Sequence, residues 1–121
     1  MKKFRFLIAV VLVLIPISLL AQAVPTSKFA WTQDAPTLAD AQAYTYLYFP
    51  DGATTGIAFT AVTCTGATSP FACEVNIPAF TPGNHTVTLA ARNVAGESAK
   101  TSPLSFVFVV TPAVPQQFRI K

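Results

Sequence analysis

The side chains that could do chemistry in this sequence are a cysteine pair, one histidine and a few scattered carboxylates. Cys64 and Cys73 are the only cysteines, and the eight residues between them include Gly66, Ser69 and Pro70. In an oxidising compartment that spacing reads as a disulfide across a hairpin. A free thiol pair or half of a metal site is the alternative. Zinc would need two further ligands, and His85 is the only histidine. Closing a loop of this size contributes roughly 2.5–3 kcal/mol through chain entropy, less any strain. His85 is the one side chain that titrates near neutral pH, which makes it the obvious catalytic or switch candidate. No Ser, Cys or carboxylate stands near it in sequence to complete a nucleophilic set. Asp34, Asp40 and Asp51 match no calcium-loop spacing, and Asp51-Gly52 after Pro50 already reads as a turn. Paired carboxylates for glycoside hydrolysis would need facing positions and an enclosing cleft. The expectation is no catalytic residue, no cofactor and no metal site.

The compartment is read from Met1 to Ala23. Lys2, Lys3 and Arg5 form a positive head, followed by an apolar run from Phe6 to Ile15, Pro16, and a second apolar piece ending Leu19-Leu20. Ala21-Gln22-Ala23 places small residues where a signal peptidase reads. That is the layout of a secretory signal peptide over residues 1–23. A membrane anchor is the alternative, but the run to Ala21 is shorter than the roughly 20 residues a spanning helix needs, and Pro16 interrupts it. No Cys follows for a bacterial lipid anchor. The expected destination is the periplasm, the cell surface or the medium, with no stable membrane anchor after cleavage. Asn84-His85-Thr86 fits a glycosylation sequon, which only a eukaryotic host would use; the compact Lys-rich head looks bacterial.

Removing the head changes the electrostatics. From Val24 to Lys121, Lys28, Arg92, Lys100, Arg119 and Lys121 balance Asp34, Asp40, Asp51, Glu74 and Glu97, so the net charge is zero. There is then no basic footprint for nucleic acid or an anionic membrane. A near-neutral surface also offers little repulsion against self-association.

The elements that must position these groups are strands. No segment carries a helical period, and runs rich in Thr, Val, Phe and Tyr alternate with Pro, Gly, Asn and Asp. Six strands are expected: 28–33 around Trp31, 43–49, 56–64, 73–77, 85–93 and 104–110. Thr37 to Gln42 is Ala-rich enough for a helical turn but too short to rely on. Alternation places Cys73, Val75 and Ile77 on one face, with Glu74 and Asn76 in water. It likewise turns His85, Val87, Leu89 and Ala91 inward, and Leu104, Phe106, Phe108 and Val110 to a common face. Val62 and Cys64 share parity, so the disulfide should lie on the core side. Tyr44, Tyr46 and Tyr48 oppose Leu47 and Phe49, so both faces of that strand should meet apolar groups.

Phe80-Thr81-Pro82-Gly83, then Val87, Leu89, Ala91, Asn93, Gly96 and Ser98, resemble the E–F corner, F strand and F–G loop of a fibronectin type III domain. Trp31 stands where that family places its strand B tryptophan, and the Tyr-rich run resembles strand C. The resemblance implies an all-β, antiparallel, immunoglobulin-like β-sandwich over residues 24–111, with Trp31, Val75, Ile77, Val87, Leu89, Ala91, Phe106 and Phe108 in its core. It also implies a structural corner at Pro82, Gly83 and His85. His85 takes the place of the family's corner Tyr, with a ring nitrogen bonded to backbone. One residue is missing after Gly83, a Cys-closed hairpin precedes strand E, and too few residues precede Trp31 for a full strand A. Arg-Gly-Asp is absent from the F–G loop, so integrin binding does not carry over.

The function expected is that of an exported, non-catalytic binding or spacer module for a protein or carbohydrate at the cell exterior. The alternatives are a self-assembling subunit of a cell-surface or virion-like assembly and, third, a small secreted hydrolase. The Pro-spaced tail, residues 112–121, ends in alternating Phe118 and Ile120 and resembles the linker and strand A that open the next domain in an array. It is suited to add to the open edge of a neighbour and give a homo-oligomer. A frayed terminus is the alternative.

Overall fold

The computed structural model describes residues 21–121; the expected signal peptide, apart from its last three residues, lies outside them. In chain order the elements are β1 (Ala21–Ala23), β2 (Lys28–Gln33), α1 (Leu38–Ala43), β3 (Thr45–Pro50), β4 (Ile57–Ala58), β5 (Thr63–Thr65), β6 (Phe71–Asn76), β7 (Gly83–Asn93), β8 (Gly96–Glu97) and β9 (Leu104–Phe108). They make two open sheets. One runs β1-β9-β7-β3-β4, with β8 paired to β7; the other runs β2-β6-β5. Every pairing is antiparallel except β1 with β9, which is parallel.

Period-two alternation turns one face of each sheet to a common core. Phe29 and Val75 from one sheet meet Ala23, Val87, Phe106 and Phe108 from the other, and the Phe29 and Phe106 rings lie 5.8 Å apart. Burying a Phe side chain stabilises by roughly 1.5–3 kcal/mol. A second cluster of Ala35, Ala41, Tyr46, Cys64, Phe71 and Cys73 closes around the disulfide. Trp31, Phe59 and Val62 are partly buried and pack against both. The expected core residues Ile77, Leu89 and Ala91 are also only partly buried.

Both faces of β3 are apolar and covered. Tyr46 faces the core, while Leu47 and Phe49 are buried with Ala90 on the other side. Gly56 makes the second covering possible, because a Cβ there would sit 2.8 Å from the Phe49 ring. The Lys100 ammonium lies 4.0 Å above the centre of the same ring.

The run 56–64 is not one strand. Ile57–Ala58 pairs with β3 in the first sheet, and Thr63–Thr65 pairs with β6 in the second. Between them Ala61 adopts φ 60°, and Phe59 stacks on Tyr48 at 4.5 Å and on Trp31 at 6.1 Å. The inserted ring and the turn carry the chain from sheet to sheet. Two side chains expected on the shared face of the last strand are exposed: Leu104, the first residue of β9, at 48%, and Val110, at 41% because β9 ends at Phe108.

The short stretch 37–42 does contain a helix. Thr37 caps α1 by accepting from the Asp40 N–H at 3.2 Å. Tertiary bonds hold what six residues cannot hold alone. Gln42 Nε2 donates to the Val62 carbonyl, Gln42 Oε1 accepts from the Cys64 N–H, and the Tyr46 hydroxyl donates to the Ala41 carbonyl at 2.7 Å.

β1 is the other addition. Its residues, Ala21-Gln22-Ala23, close the apolar head, and Ala23 is buried beside Phe106 and Phe108. Among the described residues, no helix is long and apolar enough to cross a membrane.

Candidate functional site

His85 sits near the start of β7, and the β3–β7 pairing decides what it meets. Pro50 stands opposite Val87. Asp51 and Gly52 then turn the chain with φ 51° and 75°, the left-handed pair of a tight turn. The turn brings Asp51 to the β7 backbone, where its N–H donates to the Thr86 carbonyl at 2.7 Å. Its carboxylate accepts from the Thr86 N–H at 3.0 Å and reaches His85 Nδ1 at 2.8 Å. On the other side of the ring, Nε2 lies 2.6 Å from the Thr81 carbonyl and 3.3 Å from the Thr81 hydroxyl. The ring packs on Phe80 at 5.0 Å and Phe106 at 5.8 Å. His85's side chain is 10% exposed against 51% for Asp51.

A carboxylate, an imidazole and a hydroxyl are therefore in line, the connectivity of a hydrolytic triad. The bonding differs from a triad in one respect. Nδ1 faces a carboxylate and Nε2 a backbone carbonyl, so both nitrogens are called on to donate. A ring donating at both positions is an imidazolium and has no lone pair with which to deprotonate Thr81. The electrostatics agree. The hydrogen bond to Asp51, then that to the Thr81 carbonyl, raises the His85 pKa above its ordinary 6.5. The His85 hydrogen bond, then the Thr86 N–H, holds Asp51 below its ordinary 3.8.

The remaining candidates lie apart. Gly83 at the corner has φ 118°, a conformation that favours glycine, and Pro82 beside it is exposed. Cys64 and Cys73 are directly cross-strand and bonded. The Tyr46 hydroxyl lies 3.8–3.9 Å from both sulfurs, and burial, then Tyr44, pushes its pKa up to about 12. Asp34 accepts from Ser69 and Asp40 from Thr37, so the three aspartates do not converge. Among the described residues, no cluster of three His, Cys, Asp or Glu could hold a metal ion. Phe118 and Ile120 touch nothing and are fully exposed.

Sequence reasoning missed Asp51 as the partner of His85. The available signal was Pro50-Asp51-Gly52, which fixes where β3 turns. It also missed an apolar cavity of about 250 Å³ between the sheets, lined by Phe29, Trp31, Tyr48, Phe59, Leu89 and Leu104. The indole Nε1 of Trp31 is buried without a hydrogen-bond partner. No family model matches the chain, and no curated protein matches it.

Proposed function

We propose that this chain is an exported, non-catalytic binding or spacer module with a β-sandwich of the fibronectin type III kind. Three strands facing a larger sheet, with β7 as the central strand beside the corner, support the fold assignment. The disulfide supports an oxidising destination outside the cytoplasm. The observation that carries the non-catalytic reading is the bonding of His85. The chain's one histidine holds a carboxylate on one nitrogen and a backbone carbonyl on the other, so it closes a corner and offers no base to a substrate. The partner is a protein or carbohydrate outside the cell. Fold alone does not name it.

The ring protonation of His85 tests this reading. A nitrogen-15 NMR titration of the ring should find the second ring proton lost only above the ordinary pKa of 6.5. A ring already neutral below that value, with a free lone pair on Nε2, would contradict it and return the Asp51–His85–Thr81 line to the hydrolase reading.

A further inference from the structure

The tail and one sheet edge complement each other. β2 pairs only with β6 among the described residues. Its six residues make the longest edge without a second partner; β4 and β5 have three residues or fewer, and β9, which loses β1 when the chain is cut after Ala23, has five. The direction of its backbone groups follows from one bond. The Ile77 N–H donates to the Ser27 carbonyl, continuing the β2–β6 register by one pair. In an antiparallel ladder, bonded pairs alternate, so Phe29, Trp31 and Gln33 bond toward β6. Lys28, Ala30 and Thr32 therefore direct N–H and C=O away from it, and all three residues are exposed. Such an edge is a template for another strand unless charge or a bulge blunts it. Lys28 is the only charge along it, and its ammonium is drawn to Glu74 at 2.9 Å.

Beside this edge lies the 250 Å³ apolar cavity, with Phe29 and Trp31 on its β2 side and Leu104, 48% exposed, at its rim. Beyond β9, meanwhile, Val114, Phe118 and Ile120 are 84%, 101% and 100% exposed. As an extended segment, Phe118 and Ile120 would project to one face and Arg119 to the other. Phe29 and Trp31 have the same two-residue spacing on the core face of β2.

We infer that the C-terminal segment 118–121 of a second copy adds as a strand to the free edge of β2, placing Phe118 and Ile120 over the cavity. Main-chain bonds to Ala30 and Thr32 supply affinity, and the cavity reads the alternate side chains. Arg119 stays in water. The nine residues 109–117 reach roughly 30 Å, enough to bridge to a neighbour. Donor and acceptor are different surfaces, so each copy gives a tail and receives one, and the contact builds chains rather than a closed dimer. The inference rests on the module reading and names its partner as another copy of the same chain.

The test is amide hydrogen exchange on the full exported protein, read with sedimentation across a concentration series. As assembly grows, the Ala30 and Thr32 amides should slow by about tenfold once nine in ten edges are filled. A Phe118→Asp/Ile120→Asp variant, altered only where the side chains touch nothing, should stay monomeric with both amides fast. Four results would overturn the inference: an intact protein that stays monomeric; an assembly in which these amides exchange as in the monomer; protection already complete in the monomer, the mark of the chain's own tail; or assembly unaffected by the double substitution. Each of these leaves the protonation of His85, and so the module reading, as it stood.

Discussion

At the scale of single residues, the His85–Asp51 pair makes stability depend on pH in a defined direction. His85 is raised above 6.5 by Asp51, so its contribution is full below that value and is lost as pH rises through the raised pKa. Asp51 is lowered below 3.8 by His85, so its contribution is present above 3.8 and is lost as pH falls through the lowered pKa. The pair should therefore stabilise most between pH 3.8 and 6.5. Thermal melts of wild type and Asp51→Asn across pH 3 to 9 should differ most inside that window, and the difference should shrink as pH rises through the raised His85 pKa or falls through the lowered Asp51 pKa. At pH 6, His85→Tyr should melt above His85→Ala, because a ring and a polar tip still fill the space against Phe80 and Phe106. Equal melts for the two variants would remove the structural role. A corner place for His85 is what the resemblance over Phe80-Thr81-Pro82-Gly83 implies, and the residues alone do not announce it. The carboxylate partner of His85 was not legible, because Asp51 is 34 residues away and arrives only through the pairing of β3 with β7.

At the scale of elements, what the sequence conveyed well was strand identity wherever alternation was strict. β2 was expected at its observed bounds, and β6, β7 and β9 were expected to within a few residues, with Val75, Val87, Phe106 and Phe108 buried. The disulfide lies between the two strands expected to hold it. Legibility failed where long-range bonds outrank local preference. α1 depends on Gln42, whose amide bridges Val62 and Cys64 of the neighbouring strand region. Residues 98–101 line β7 without being a regular strand. The Ser98 and Thr101 hydroxyls stand in for ladder carbonyls, accepting from the Ala91 and Leu89 N–H groups. No local pattern announces either arrangement. Gln42→Ala should remove one exposed and one half-buried hydrogen bond and cost about 0.5–1.5 kcal/mol for each. Urea unfolding of the two proteins checks this, and a difference within error would mean that α1 is held by the Tyr46 hydroxyl and the burial of Ala41 alone.

The whole molecule combines two open sheets, a disulfide that ties β5 to β6 within the smaller one, and an exposed apolar tail. The parts constrain one another. Ala21–Ala23 can serve as β1 only while they stay attached, and cleavage after Ala23 removes a buried alanine and the carbonyl that accepts from the Val109 N–H. It was not legible in the sequence that these three residues also fit against β9, since their spacing for a peptidase is the stronger local signal. The bridge between Cys64 and Cys73 suits an oxidising, extracellular environment. Intact mass of protein recovered from outside the cytoplasm, before and after reduction, decides whether the chain is exported and bridged. A chain beginning at Val24 that gains two hydrogens on reduction is expected. A full-length mass in the membrane or cytoplasmic fraction, or free thiols in freshly exported protein, would contradict it.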